Sequence, residues 1–426
     1  MRLSNVAWNV AGLAAPLVVA LLCVPRLLQG LGSERFGLLA LAWALTAISG
    51  LFDLGIGRSA TRLIAAQLGR GDGSRVASTL AAATRIAAWA GLAGAVLLAG
   101  AAAMGAHRLI RYEAALDSEV LQATLLLALV IPLQTLIATY RGASEACQQF
   151  RGIRLVRMAL GVANFAAPLA VAQYSSNLAL LVLALLLARV AALVAYRLLA
   201  WQAVPSTVDA PPLSAQERRA LLQSGGWYSV SAVVSPVLVH ADRFVIGALL
   251  SAAAVSTYAV PFDVIMQLLI VVTAVSTVAF PSITHQLQTD AASARAQFDH
   301  WLLIVAGAMA AVTALVAWWL PALLNAWIGS ALPAEAVSVG RWLCLGVWLN
   351  AIGSMYFAWL HAHGRFRATA LLHLVELPLY LAVLVLLLKQ LGVTGAAIAW
   401  ALRVGFDSAM LAWLARRGAG PNVVPR

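Results

Sequence analysis

The sequence predicts an all-α, polytopic membrane protein with about twelve transmembrane helices. Hydrophobic residues make up 62% of the 426 residues and charged residues only 10%, whereas soluble domains average about 45–50% and about 25%. The longest charge-free stretch runs from Trp301 to Ala334 and has 34 residues. Because about 20 apolar residues cross a bilayer as a helix, this pattern excludes a soluble globular enzyme and a disordered chain.

Hydropathy and the charged positions divide the chain into twelve apolar spans. Arg2 precedes the first one, but no signal-peptide cleavage site follows, so we interpret it as a retained span. The predicted spans are residues 6–28, 36–57, 80–104, 120–140, 155–174, 178–200, 224–250, 258–281, 299–323, 337–360, 368–388 and 393–414.

Basic residues are distributed unevenly between the loops that join these spans. The even-numbered loops and the two termini carry 18 arginines, whereas the odd-numbered loops carry four basic residues, Arg35, Arg108, Arg111 and Lys389. Since positively charged loops stay in the cytoplasm, both termini are predicted to be cytoplasmic. The net charge of +12 is then a topology signal, and we expect no nucleic-acid partner, which would need a basic face in solvent.

A polar stretch with three prolines near the midpoint separates two halves of six spans. The predicted organisation is an N-terminal lobe over 1–200, a cytoplasmic linker over 201–222, a C-terminal lobe over 223–415 and a cytoplasmic tail over 416–426. Both halves start with a similar spacing of Trp and Pro. Because six is even, a repeat of this kind would be parallel rather than inverted.

Charged residues inside the spans are the candidate functional residues, because charge at membrane depth is costly and usually faces a cavity or a partner. Six positive and five negative charges nearly cancel, so internal ion pairing explains them as well as a polar cavity does. The basic positions are Arg26, Arg85, Arg189, Arg243, Arg341 and Arg403, and the acidic positions are Asp53, Asp242, Asp263, Glu376 and Asp407.

Two pairs within this set are close along the chain. Arg403 and Asp407 are four residues apart and can pair directly on one helix face. His373 and Glu376 are three apart, so they could form a proton-titrating pair or a structural hydrogen bond. Arg189 and Glu376 lie mid-span and cannot reach either surface, which makes them the best candidates for a lumen on depth alone.

No motif for an enzyme, a cofactor or a metal site is present. The sequence contains no Walker A lysine motif, no G-x-S-x-G and no H-E-x-x-H. The cysteines Cys23, Cys147 and Cys344 share no metal-ligand or redox spacing. We therefore predict a protein that is not an enzyme and has neither cofactor nor metal. Prolines interrupt many spans, as they do in the broken helices of transporters.

Several motifs resemble those of one transporter family. The first half contains N-x-x-G-x-x-x-P-L from Asn9 to Leu17, then LG-x-x-x-FG from Leu31 to Gly37 and DLG-x-G from Asp53 to Gly57. The second half contains Asp242 before an apolar run with Tyr258 after it, and FP-x-I at 280–283. These elements resemble the Wzx-like lipid-linked oligosaccharide flippases of the multidrug/oligosaccharidyl-lipid/polysaccharide (MOP) exporter superfamily.

The resemblance implies two six-helix lobes that form a V around a central cavity. It implies ion-coupled, alternating-access transport of undecaprenyl-pyrophosphate-linked oligosaccharide, for O-antigen, capsule or exopolysaccharide, across a bacterial inner membrane. A polysaccharide polymerase and a chain-length regulator are possible partners. Combining the resemblance with span depth, we expect a cationic substrate site from Arg26, Arg58, Arg189, Arg243 and Arg403. We expect gating or ion coupling by Asp53, Asp242, Asp263, Glu376 and Asp407.

Three other functions are compatible with a polytopic membrane protein. A drug or lipid exporter of the same superfamily is the nearest alternative, although a lumen for cationic drugs would favour acids and aromatics over arginine. A membrane polysaccharide polymerase or ligase would need a long periplasmic loop for catalysis, and this chain has none. A non-transporting scaffold would not need charges at membrane depth.

Overall fold

We describe the protein from a computed structural model. The described residues are 3–53, 55–204, 226–272, 275, 283, 286 and 290–417. Every regular element among them is helical, which confirms the all-α class. The helices are α1 (Leu3–Ile48), α2 (Ile56–Gly69), α3 (Val76–Ala103), α4 (Asp117–Ala146), α5 (Phe150–Ala172), α6 (Leu178–Ala203), α7 (Gly226–Leu249), α8 (Ala252–Ile265), α9 (Ala291–Ile328), α10 (Glu335–Ala362) and α11 (Phe366–Arg417).

Two of these helices are too long for one membrane crossing, and a glycine divides each of them. At about 1.5 Å per residue, the 46 residues of α1 and the 52 of α11 would greatly exceed the roughly 30 Å hydrocarbon layer. Gly32 in α1 has φ 76° and Gly392 in α11 has φ 60°, values that residues with a Cβ atom rarely adopt. Each glycine therefore splits its helix into two arms, and the arms match the first two and last two predicted spans.

Nine segments of the described chain are long and apolar enough to cross a membrane, and those containing α1 and α11 each cover two predicted spans. Helix α7 covers the predicted seventh span, whereas part of the eighth lies outside the described residues. These helices are consistent with about twelve spans. The lobe boundaries, linker, tail and V arrangement stay predictions, and residues 205–225 and 418–426 lie outside the described part.

The chain separates into two compact units. The first unit contains Met1–His240 with Ser251–Ala253, and the second contains Ala241–Leu250 with Ala254–Arg426. Large side chains such as Ile64, Leu80 and Tyr196 fill the core of the first unit, where α2, α3, α4 and α6 pack together. The largest fully buried side chain of the second unit is Trp400 on the second arm of α11.

Helix α2 is a short surface helix that is followed by the glycine-rich stretch 69–73. One face, which includes Ile56, Ala60 and Ile64, is buried in the first unit. The opposite face carries the exposed side chains of Arg58 and Arg62. This division between an apolar and a basic face is what a helix at the edge of the membrane requires.

Candidate functional site

The second unit holds a group of buried charged and hydroxyl side chains, contributed by α7, α8 and α11. On α7, the Asp242 carboxylate accepts hydrogen bonds from the Tyr258 hydroxyl at 2.6 Å and from the backbone N–H of Arg243 at 2.8 Å. Arg243, which is 2% exposed, forms an ion pair with Asp263 on α8. The Asp263 side chain is 48% exposed, so this pair is open to the surroundings on one side.

The two arms of α11 bring a second set of charges together. Arg403 Nη1 donates a hydrogen bond to Glu376 Oε1 at 3.2 Å, and Glu376 is 2% exposed. His373 Nε2 lies 3.7 Å from Asp407 Oδ1. Each contact joins one arm to the other, so the charges help to hold the hairpin that turns at Gly392.

Aromatic rings surround these charges. Tyr258 stacks on Phe262, and Phe262 meets Trp400 edge to face. The Arg243 guanidinium lies 5.4 Å from the centroid of the Phe262 ring, as the Arg403 guanidinium does from the Tyr380 ring. Cation–π contacts of this kind partly replace the hydration that a buried arginine loses.

The contacts between the arms differ from the pairing that sequence spacing favoured. In the described contacts, Arg403 bonds to Glu376 rather than to Asp407, and His373 Nε2 lies 3.7 Å from Asp407 Oδ1 on the other arm. Sequence reasoning missed both contacts because their partners are 27 and 34 residues apart. Local spacing carries no signal of a hairpin that aligns two arms of one helix.

In the first unit, Asp53 lies at the start of α2 and caps it. Its carboxylate oxygens accept the backbone N–H of Gly57 at 3.1 and 3.2 Å, which satisfies one of the unpaired donors at a helix start. Gly55 has φ 77°, and a Cβ atom at Gly57 would lie 2.9 Å from the backbone oxygen of Ala138. The D-L-G-x-G motif therefore has a local structural role, which its sequence alone did not reveal.

Arg189 on α6 is 5% exposed and bonds to uncharged groups. Its guanidinium donates to the backbone oxygen of Leu185 at 3.1 Å and to Asn164 Oδ1 at 3.3 Å. Arg189 is thus buried near the middle of α6, and its role in a cavity stays a prediction. By contrast, the side chains of Arg26 on α1 and Arg58 on α2 are exposed.

The loop before α4, an odd-numbered loop, is fastened by charge pairs. Arg108 donates two hydrogen bonds to Asp117, at 3.1 and 2.8 Å, and this contact raises the pKa of Arg108. The Tyr112 hydroxyl donates to the same carboxylate; burial, and then this hydrogen bond, raise the pKa of Tyr112 to about 12. Arg35 similarly pairs with Glu119 at 3.1 Å. Two of the four basic residues in odd-numbered loops are thus neutralised by acids.

The ten predicted site residues therefore do not form one cluster. The structure brings together Asp242, Arg243 and Asp263, and it brings together Glu376, Arg403 and Asp407. His373 joins the second group. Asp53 and Arg189 are bound locally within the first unit.

Comparison with known proteins identifies the family. The chain matches the family described as "Polysaccharide biosynthesis protein" over residues 3–286. It is 28% identical, over 415 residues, to a Shigella flexneri protein whose name assigns it to O-antigen transport, and the match covers 97% of this chain and 98% of that protein.

Two solved structures share the fold. One is an inward-facing multidrug resistance MATE family transporter of the MOP superfamily, with a TM-score of 0.78, 13% identity and coverage of 96% of this chain and 97% of that one. The other is the lipid II flippase MurJ in an inward closed conformation, with a TM-score of 0.71, 12% identity and coverage of 96% and 87%. The resemblance inferred from the motifs is confirmed. Because the family match covers more than half of the sequence, this chain belongs to the polysaccharide biosynthesis protein family.

Proposed function

We propose that this protein transports undecaprenyl-pyrophosphate-linked oligosaccharide from the cytoplasmic to the periplasmic leaflet. The observation that carries the proposal is the nearly full-length similarity to the O-antigen transport protein of Shigella flexneri. The family match supports it, and so does the likeness of fold to a lipid II flippase. The cargo would be a repeat unit of an O-antigen, a capsule or an exopolysaccharide.

Arginines in the membrane suit the chemistry of such a cargo. A sugar–pyrophosphate head group is large, polar and anionic, so its transfer through bare hydrocarbon is prohibitive. A guanidinium offers charge-assisted, bidentate hydrogen bonds to phosphate oxygens. A hydrated, arginine-lined path would therefore carry the head group while the prenyl chain remains in lipid.

The five proposed substrate-binding arginines fall into two classes. Arg26 and Arg58 are exposed, which supports a direct role in contacting the pyrophosphate. Arg189, Arg243 and Arg403 are buried and engaged with protein groups. The buried three would need to exchange a partner during transport before they could bind phosphate.

The sequence alone assigned ion coupling to Asp53, Asp242, Asp263, Glu376 and Asp407. The contacts of the second unit support this assignment for the last four, because there acids lie beside bases in a largely buried setting. Rocking of the two predicted lobes would give alternating access. A proton or ion can bias that equilibrium only if its affinity differs between the two states.

The protein is a multi-pass membrane protein. We place it in the bacterial inner membrane with both termini in the cytoplasm, on the asymmetry of loop arginines. A polysaccharide polymerase and a chain-length regulator, which act on the flipped product, are the proposed partners.

A drug exporter is the second candidate. The observation that favours it is the group of acids and aromatic rings around Asp242, Tyr258, Phe262 and Trp400, which would suit a cationic drug. The similarity to a MATE transporter shows only the fold, and the buried arginines oppose a cationic cargo.

The decisive experiment deletes the gene and measures in which leaflet the lipid-linked oligosaccharide lies. We expect accumulation on the cytoplasmic leaflet and loss of surface glycan, and the mass of the accumulated lipid would identify the cargo. Normal surface glycan with increased drug sensitivity would favour the exporter. Accumulation on the periplasmic leaflet would instead mean that a polymerisation or ligation step had been lost.

A further inference from the structure

The side chains of His373, Glu376 and Asp407 converge in the second unit. Each offers one ligand atom, and the three atoms lie within 4.8 Å of one another. We propose that these three residues bind a divalent transition-metal cation such as Zn²⁺. The proposal departs from the sequence-based expectation of no metal, because Asp407 lies 31 residues after Glu376 and only the turn of α11 brings them together.

The geometry is close to that of a metal site. Zinc ligands lie about 2.0–2.2 Å from the ion, which places them roughly 3–4 Å apart in a tetrahedral arrangement. His373 Nε2 and Asp407 Oδ1 are already 3.7 Å apart. His373 and Glu376 project from one face of the first arm of α11, three residues apart, as in other metal sites built on a helix.

The two carboxylate ligands each offer an oxygen in the present arrangement. Within the described part of the chain, Glu376 Oε2 and Asp407 Oδ1 are buried without a hydrogen-bond partner. Buried oxygens of this kind are costly unless something satisfies them. Arg403 uses Oε1 of Glu376 and leaves Oε2 free for the ion.

The charges around the site favour a divalent ion. The carboxylates of Asp242, Glu376 and Asp407 are opposed by the guanidinium of Arg403, which also acts on Asp242. Arg243 and Asp263 neutralise each other. Once ionised, these carboxylates carry more negative charge than the single guanidinium of Arg403 balances, and a divalent cation would offset the excess.

The ligand types select among cations. Mg²⁺ and Ca²⁺ prefer sites made entirely of oxygen, whereas an imidazole nitrogen with two carboxylates suits zinc and its first-row neighbours. The site would connect the two arms of α11 across their turn at Gly392. Because an ion that bridges the two arms would hold them together, we expect zinc to inhibit transport. This expected inhibition rests on the proposed transport function, whereas metal binding itself does not.

The test uses full-length protein, purified in detergent and stripped of metal with a chelator. Co²⁺ serves as the spectroscopic probe, because its visible absorption reports nitrogen and oxygen ligands and its near-ultraviolet absorption reports thiolates. We expect one Co²⁺ per chain with visible bands, displaced by Zn²⁺. Substitutions His373→Gln, Glu376→Gln and Asp407→Asn should each weaken binding by at least about tenfold.

Two further variants serve as controls for the ligand substitutions. Arg403→Gln removes the positive charge beside Glu376 and should tighten binding, which is the opposite sign to the ligand substitutions. His300→Gln removes an exposed histidine on α9 and should leave binding unchanged. Size-exclusion chromatography identifies any variant that fails to fold, and His373→Gln is the most conservative because it alters no carboxylate.

The proposal is overturned if the wild-type protein takes up no Co²⁺ or Zn²⁺. It is also overturned if the correctly folded ligand variants bind as the wild type does, or if the spectrum shows thiolate bands from Cys23, Cys147 or Cys344. None of these measurements uses the oligosaccharide, so failure of the metal site and failure of the proposed function remain distinguishable.

Discussion

The two units treat their buried charges differently. In the first unit, Asp53 and Arg189 bond to backbone groups and to the neutral amide of Asn164. In the second unit, Arg243 bonds to Asp263, Arg403 bonds to Glu376, and His373 lies beside Asp407. The first arrangement fixes charges locally, whereas the second places these oppositely charged side chains against one another.

This difference separates charges with a structural role from charges that can change partner during transport. A carboxylate that caps a helix can be replaced by a neutral acceptor of the same shape at little cost. A carboxylate that compensates a buried guanidinium cannot, because its loss leaves an unpaired charge in a medium of low dielectric constant. We therefore propose that ion coupling uses the charges of the second unit rather than those of the first.

The largest effect is expected at the Glu376–Arg403 pair. Glu376→Gln should destabilise the protein by about 3–5 kcal/mol, since it removes the charged acceptor that the buried Arg403 guanidinium bonds to directly. The double variant Glu376→Gln/Arg403→Gln should recover much of this loss. Thermal unfolding of the purified proteins measures both effects, with transport measured in parallel.

A matched control is the Arg295–Asp299 pair, whose side chains are 32% and 49% exposed. Arg295→Gln also removes the contact of that guanidinium with the Phe298 and Trp359 rings, so Asp299→Asn is the cleaner change and should cost less than about 1 kcal/mol. If Glu376→Gln proves no more destabilising than Asp299→Asn, the second unit does not rely on paired charges as described.

A smaller effect is expected where α2 crosses α4 in the first unit. A Cβ atom at Gly142 would lie 2.5 Å from the backbone oxygen of Gly57, so Gly142→Ala should force the two helices apart and cost about 1–3 kcal/mol. Gly100→Ala, at a helical position with open space around it, is the control and should cost nothing. Equal unfolding temperatures for the two variants would contradict the close approach.

The next effect concerns the cap formed by Asp53. Asp53→Ala should cost about 1 kcal/mol, because the Gly57 N–H loses its acceptor, whereas Asp53→Asn should retain both stability and transport. The pair of variants separates capping from coupling, which was the role assigned to Asp53 from sequence. Loss of transport in a stable, abundant Asp53→Asn protein would restore the coupling role and weaken the contrast between the units.

Much of the fold could be predicted from the sequence, because the length and hydrophobicity of each apolar stretch determine whether it forms a membrane helix. A stretch such as Trp301–Ala334 has few alternatives to a membrane helix, and α9 covers it up to Ile328, where the helix ends. Less predictable were the sharp breaks within α1 and α11, where a single residue with positive φ, Gly32 or Gly392, takes the place of a loop. Glycine is common in such sequences, so no local signal distinguishes these two.

The candidate site was predictable in its residues but not in its contacts. A charged side chain inside the membrane is costly in free energy unless another group compensates it. The sequence therefore identifies Glu376 and Arg403 individually as candidate site residues. Their pairing depends on the register between the two arms of α11, and the capping role of Asp53 depends on the turn at Gly55. Both are properties of backbone geometry, which hydropathy and spacing do not encode.

The smallest effect on stability is expected at Arg26. Its exposed side chain allows a direct comparison with the buried arginines that are bonded to protein groups. Arg26→Gln should change the unfolding free energy by no more than about 0.5 kcal/mol, because the side chain is exposed, yet surface glycan should fall if this guanidinium contacts the pyrophosphate. Arg85→Gln is the matched control, since Arg85 is also exposed and within a predicted span but outside the proposed site. Glycan levels and protein abundance would be measured together in cells that lack the wild-type gene. If the Arg26 variant has wild-type glycan levels, Arg26 does not contact the substrate. Phosphate binding would then fall to the buried arginines, which must first leave their present partners.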